Sequence, residues 1–151
     1  CEVVKHKNIS HEELLALDVD VLVPAALENA ITRDNVKDIK AKWIVEVANG
    51  PISMEADQKL FKKGVEIIPD VLANAGGVIV SYFEWVQNRT GYYWPLEEVR
   101  EKLKDKLHLA FDDIWQYQHS QDDKVSLRSA AYAKALLQIQ AVLKMLVRSN
   151  H

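Results

Sequence analysis

A chain of 151 residues, 48% hydrophobic and 27% charged, has an ordinary globular composition and is long enough for one domain with its own core. A formal net charge of −3 and a pI near 6.0 leave no basic footprint, which argues against nucleic acid as a partner. No apolar run reaches membrane-spanning length and no basic segment precedes a signal-like core, so a soluble cytoplasmic protein is expected, with no membrane partner.

Ser10, with Glu13 three residues later, has the pattern of a capping box, and Leu14, Leu15 and Leu17 come next, predicting a short helix. Residues 19–23 are mostly apolar and β-branched and stop at Pro24, the pattern of a buried strand. Thr32 can cap a short polar helix ending near Ile39, and residues 43–47 form a second strand-like run that ends at the turn Asn49-Gly50-Pro51. Ser53 opens a helix that carries Lys62 and Lys63 in its last turn and stops at Gly64, and residues 65–68 are a third strand. Strands alternating with helices at this pitch predict parallel pairing through right-handed crossovers, an α/β layer.

Residues 69–75 continue as a strand-like apolar run to Gly76 and Gly77, after which Val78, Ile79, Tyr82, Phe83 and Val86 keep helical spacing to the stop at residues 88–91. Pro95 suits a first helical position, and Leu96, Val99, Leu103, Leu107, Ala110, Ile114 and Tyr117 recur every three or four residues. Ser126 caps a last helix whose stripe is Tyr132, Leu136, Ile139, Leu143 and Leu146. Both stripes are expected to pack on the sheet and on each other, giving one domain with a helical C-terminal portion.

Side chains for unaided chemistry are scarce. The single cysteine, Cys1, excludes an internal disulfide and fits a reducing compartment, and a chain that opens on cysteine rather than methionine is expected to be a piece of a longer protein. His6, His11, His108, His119 and His151 have no ligand spacing, so no metal site is expected. The glycines at 50, 64, 76, 77 and 91 cannot make a Gly-x-Gly-x-x-Gly phosphate loop.

Three motifs each stand just after a predicted strand, where ligands of open α/β sheets bind. They are Pro24-Ala25-Ala26-Leu27-Glu28-Asn29, Ala48-Asn49-Gly50-Pro51, and the run from Pro69 through Asn74-Ala75-Gly76-Gly77-Val78-Ile79-Val80-Ser81 to Trp85. Adjacent glycines let a ligand approach bare backbone at a helix N-terminus. Glu28, Glu46, Asp70 and Glu84 lie in or near these motifs, but their spacing implies no carboxylate pairing. Each motif alone is an ordinary turn signal, but in this order and spacing they resemble the glutamate dehydrogenase family of amino acid dehydrogenases (glutamate, leucine, phenylalanine and valine). The resemblance runs from roughly residue 18 to 146, about the final third of a full-length member.

The resemblance implies a fold, a cofactor, a reaction and a set of site residues. The fold is a partial Rossmann-like parallel sheet of about three strands: the second half of a dinucleotide-binding domain, about residues 1–90, then C-terminal helices, about 91–151. The implied cofactor is NAD or NADP, the reaction converts L-glutamate to 2-oxoglutarate and ammonia, and the assembly is a homo-oligomer, typically a hexamer. By the same resemblance, Ala25, Ala26, Asn49 and Asn74 contact the cofactor around its nicotinamide, and Asn74 can also reach the nearby substrate. Gly76, Gly77 and Val78 form a floor where substrate and ring meet, so Gly77 and Val78 are substrate-binding positions. Ser81 hydrogen-bonds the substrate's side-chain carboxylate, where leucine-type relatives carry an apolar residue; burying a carboxylate without donors is costly. The phosphate loop, the lysines and the aspartate that activate substrate belong to upstream sequence, so no catalytic residue is expected in this chain. Two departures stand out: Val47 replaces a common glycine before Ala48-Asn49, threatening the loop's conformation, and Gln138 replaces a common arginine in the last helix. Two rivals remain, another amino acid substrate and a non-catalytic assembly domain descended from such an enzyme.

Overall fold

The computed structural model describes residues 8–122 and 124–148, with side chains through residue 146. Cys1, His6 and His151 lie outside the described residues. The chain divides into two compact units, one running to Glu66 and the other starting at Ile67.

In the first unit, Ser10 and Glu13 form the expected capping box on α1, His11–Leu15: the Ser10 hydroxyl accepts the Glu13 amide at 3.1 Å, and the Glu13 carboxylate accepts the Ser10 amide at 2.8 Å. Strand β1 is only Val21–Leu22, and β2 is Trp43–Val45; they pair in parallel with Val21 opposite Trp43 and Leu22 opposite Ile44. The amides of Lys42 and Trp43 both donate to the Asp20 carbonyl, at 3.1 and 3.0 Å, which sets this register. Beside them the exposed Lys42 ammonium bonds Asp20 Oδ1 at 2.9 Å. That hydrogen bond holds the Asp20 carboxyl below its ordinary range and raises the lysine.

The expectation of a buried first strand is corrected: Val21 on β1 and Val23 just past its end are each 50% exposed, because β1 is the outer strand in the order β1-β2-β3. The predicted polar helix after Thr32 shrinks to a 3-10 turn, Val36–Asp38, with Asp34 N–H donating weakly to the Thr32 hydroxyl at 3.4 Å. Ile31, Ile39, Ile44 and Leu60 are fully buried and form the centre of this unit's core, each contributing about 1.5–3 kcal/mol by burial. Helix α2, Met54–Lys63, supplies Ala56 and Leu60 to it. Ser53 caps α2, and Gly64, at φ +83°, closes it as the sequence predicts, its amide donating to the carbonyls of Leu60 and Phe61. Strand β3, Glu66–Ile68, begins where Glu66 N–H donates to the Lys42 carbonyl at 3.0 Å.

The second unit is helical beyond β3. Residues 70–73 are not an extended run but a short helix, α3, Asp70–Ala73. Pro69 delivers the chain in extended geometry, and the Asp70 carboxylate accepts the Val71 amide at 2.8 Å, which favours a helical turn over a strand. Helix α4, Gly76–Thr90, begins at the first of the two glycines and ends at Gly91. Its one buried residue is Phe83, in edge contact with Trp94 at 5.6 Å between ring centres, while Lys102 lies 4.9 Å above the Trp94 ring. The Gln87 side chain ties this corner down, accepting the Trp94 amide at 2.7 Å. Helix α5 spans Leu96–His119, with Pro95 as its N-cap rather than its first residue.

Helix α6, Leu127–Arg148, opens as predicted, with the Ser126 hydroxyl accepting the Ser129 amide at 3.1 Å. Packing of the helical stripes is only partial. Leu127, Ala130 and Ala131 are buried, but Leu136, Ile139, Leu143 and Leu146 are more than half exposed, and no residue of α5 is fully buried. Among the described residues no helix is long and apolar enough to cross a membrane, and no three His, Cys, Asp or Glu side chains gather as a metal site.

Gly64 gives a direct test of the α2 stop. A methyl there meets no atom within 4 Å, so Gly64→Ala carries only the strain of the left-handed backbone. Chemical denaturation of the chain should show a loss of about 1–2 kcal/mol; unchanged stability would contradict the left-handed cap.

Candidate functional site

Two loops carry the candidate residues of the first unit, and backbone hydrogen bonds stitch them together. After β1, Pro24 is buried, and its carbonyl accepts two amides from the loop after β2: Val47 at 3.1 Å and Ala48 at 3.0 Å. Further along, Asn29 N–H donates to the Gly50 carbonyl and Ile31 N–H to the Pro51 carbonyl, both at 2.9 Å, and Ser53 N–H returns to Ile31 at 2.9 Å. Ile31 and Ile52 close the pair as a parallel bridge. Two residues in left-handed geometry, Asn29 at φ +50° and Gly50 at φ +52°, let the loops turn toward each other; asparagine tolerates that region better than other side-chain-bearing residues. Ala25, Ala26 and Asn49 are thereby held on neighbouring loops, each just past the carboxyl end of a strand, and all three are exposed.

Val47 does not disturb this arrangement. It lies outside the left-handed region, its amide makes the bond to Pro24, and its side chain is 43% exposed. A β-branched residue therefore fits where the missing glycine suggests a displaced loop. Immediately before it, Glu46 is completely buried and partnered, the one buried charged residue among those described. Its complete burial is not legible from the apolar residues around it in the sequence.

The second unit carries the remaining candidates on one continuous segment. Asn74 ends α3, its amide donating to the Asp70 carbonyl at 3.0 Å, and Ala75 leads into α4. Ala75 supplies no side-chain cap, and the first amides of a helix have no intrahelical acceptor. Gly76 and Gly77 thus stand at an N-terminus whose dipole favours a negative or electron-rich partner. A methyl at Gly77 would meet no atom within 4 Å, and one at Gly76 would meet only Leu103 Cδ1 at 3.9 Å. The glycines leave open space and are not required for helix packing. Val78 is 70% exposed, and Ser81 is exposed one turn further along. The helical expectation for Val78 and Tyr82 holds, but both face away from the core. Gln138 is exposed on α6.

Sequence reasoning also misses Arg128. Its guanidinium donates to Asp70 Oδ1 at 3.3 Å across 58 residues of chain, and no local pattern announces such a pair.

Known proteins resemble this chain in sequence and fold. The model of the Glutamate/Leucine/Phenylalanine/Valine dehydrogenase family matches residues 2–145. The chain is 53% identical to an NADP-specific glutamate dehydrogenase of Synechocystis over 90% of its own length, and 58% identical to an NAD-specific glutamate dehydrogenase of Staphylococcus aureus over 83%. It spans 31% and 30% of those two proteins. Among solved structures, a hetero-hexameric glutamate dehydrogenase of Thermus thermophilus in a leucine-bound form superposes with a TM-score of 0.82 at 34% identity, over 88% of this chain and 32% of that one.

The open space around Gly77 predicts that Gly77→Ala leaves the fold intact and raises the chain's stability by up to about 1 kcal/mol, since alanine is the better helix former. Thermal or urea unfolding checks this. A loss of stability would mean that the backbone at Gly77 is not helical.

Proposed function

The chain belongs to the glutamate/leucine/phenylalanine/valine dehydrogenase family, and from that premise we propose that it forms part of an NAD- or NADP-dependent glutamate dehydrogenase. The reaction is oxidative deamination of L-glutamate to 2-oxoglutarate and ammonia in a cytoplasmic homo-oligomer. The observation that carries the reading is identity of 53% and 58% to two glutamate dehydrogenases across most of the chain. One is NADP-specific and the other NAD-specific, so a nicotinamide dinucleotide is supported and both forms are retained.

The residues present fit such a cofactor. Ala25 and Ala26 are small and exposed, Asn49 offers an amide on the adjoining loop, and Gly77 leaves space above helix backbone. When bound, the dinucleotide supplies the acceptor for the hydride leaving the α-carbon of the amino acid. By the family resemblance, Ala25 and Ala26 would present backbone to the nicotinamide ribose, and Asn49 and, separately, Asn74 would contact the nicotinamide portion. Gly77 and Val78 set the distance of closest approach and keep water from the reacting face. The Ser81 hydroxyl donates to the far carboxylate of glutamate and so selects an acidic substrate over an aliphatic one. No residue of this chain is assigned a proton-transfer role.

Ser81→Ala in the full-length enzyme tests the substrate assignment. Losing one hydrogen bond to a charged group costs about 1.5–3 kcal/mol, so kcat/KM for glutamate should fall roughly tenfold to hundredfold. Activity on norvaline, which has no side-chain carboxylate, should hold steady or rise. Equal losses on both substrates would count against glutamate recognition by Ser81.

A further inference from the structure

Asp70 stands where α3 begins, and Asn74, Gly77 and Ser81 come after it within about three turns of helix. Its carboxylate Oδ1 accepts the Val71 amide at 2.8 Å and a guanidinium N–H of Arg128 at 3.3 Å. Both charged side chains are mostly withdrawn from solvent, Arg128 to 22% exposure and Asp70 to 18%. Removing one partner of a pair withdrawn to this degree leaves the other charge poorly solvated, a larger penalty than breaking a surface ion pair.

Its position decides what the coupling acts on. Arg128 sits at the best-buried part of α6, between Leu127 and the fully covered Ala130, so the guanidinium is carried by a fixed helix start. On the other side, the Asp70 carbonyl accepts the Asn74 amide at 3.0 Å, Leu72 accepts Ala75 at 3.3 Å, and Ala75 accepts Ile79 at 3.0 Å. Three backbone bonds thus link the turn that Asp70 opens to the start of α4. Between Leu72 and Phe83, residues 73–82 are half-buried or exposed, so apolar packing holds this segment mainly at its two ends. An apolar groove of about 370 Å³, lined in part by Ala75, Ile79, Leu107, Ala131 and Tyr132, runs beside it and leaves packing incomplete there.

We propose that Asp70 and Arg128 are a positioning pair that sets the place of Asn74, Gly77 and Ser81 relative to the substrate; this rests on the dehydrogenase reading of the chain. Neither residue touches the reacting atoms. Misplacement of a positioning segment by about 1 Å can lower a rate about a hundredfold.

The test uses the full-length enzyme with Asp70→Asn, Arg128→Gln, Arg128→Lys and the double variant Asp70→Asn/Arg128→Gln. Ser126→Ala serves as a control, because it removes the α6 cap and loosens the same helix start without touching the pair. Kinetics on whichever amino acid the wild type oxidises best, and Tm, are measured for all. Asp70→Asn and Arg128→Gln should each lower kcat/KM at least tenfold, mostly through kcat. The double variant should be no worse than the worse single one, and Arg128→Lys should recover most of the loss. Ser126→Ala should lower Tm comparably yet keep kcat/KM within twofold of wild type. Activity loss in Ser126→Ala equal to that of Arg128→Gln, or losses that multiply in the double variant, would reduce the pair to a stabilising contact and overturn the proposal. Wild-type activity decides the underlying reading separately: a full-length protein that oxidises no amino acid with NAD or NADP overturns both.

Discussion

The carbonyl of Pro24 accepts the amides of Val47 and Ala48, and the arrangement of the first unit's candidate residues depends on this shared bond. Strands β1 and β2 are only two and three residues long, too short to align the loops beyond them by their own ladder. The Pro24 junction continues the alignment past the strands, and the bonds from Asn29 to Gly50 and from Ile31 to Pro51 complete it. Ala25, Ala26 and Asn49 need little packing of their own, because backbone bonds on either side hold them while their surfaces stay exposed. Polar backbone groups that would otherwise be buried unpaired are satisfied in the same stroke.

A different device governs the second unit. The chain there turns from β3 through four residues of helix and then starts α4 on two glycines, with little apolar anchorage between Leu72 and Phe83. An exposed helix start of this kind can meet a ligand with its backbone, but side chains elsewhere must hold it in place. Leu72, Phe83 with its Trp94 contact, and the Asp70–Arg128 pair supply that hold. The glycines contribute by what they omit: open space where a side chain would stand.

Local signals carry much of this into view from the sequence. The Ser10-Glu13 capping box, the Ser53 and Ser126 caps and the Gly64 stop all depend on residues within four positions of one another, and all are present. The α/β layer and the family are likewise legible, because three motifs stand in register with predicted strand ends. What fails depends on distant partners. Val21 and Val23 have the composition of a buried strand, but β1 is the outer strand and both stay half-exposed at it and just past its end, and the stripe from Leu136 to Leu146 keeps helical spacing while its leucines and isoleucine stay more than half exposed. Residues 69–75 have strand-like hydrophobicity, yet Pro69 and the Asp70 carboxylate nucleate a turn of helix. Val47 shows the converse: a residue that looks disruptive is accommodated because the backbone there needs no left-handed angle.

Family membership leaves four amino acids open by name, and the choice among them rests on relatives that span this chain at high identity and on one hydroxyl on α4. The most direct measurement is a steady-state panel on the full-length protein: glutamate, leucine, phenylalanine and valine, each with NAD and with NADP. A kcat/KM for glutamate at least about a hundredfold above the other three, with either cofactor, is the expected result. Preference for leucine, phenylalanine or valine, or no oxidation of any of the four, would contradict the assignment of this chain to a glutamate dehydrogenase.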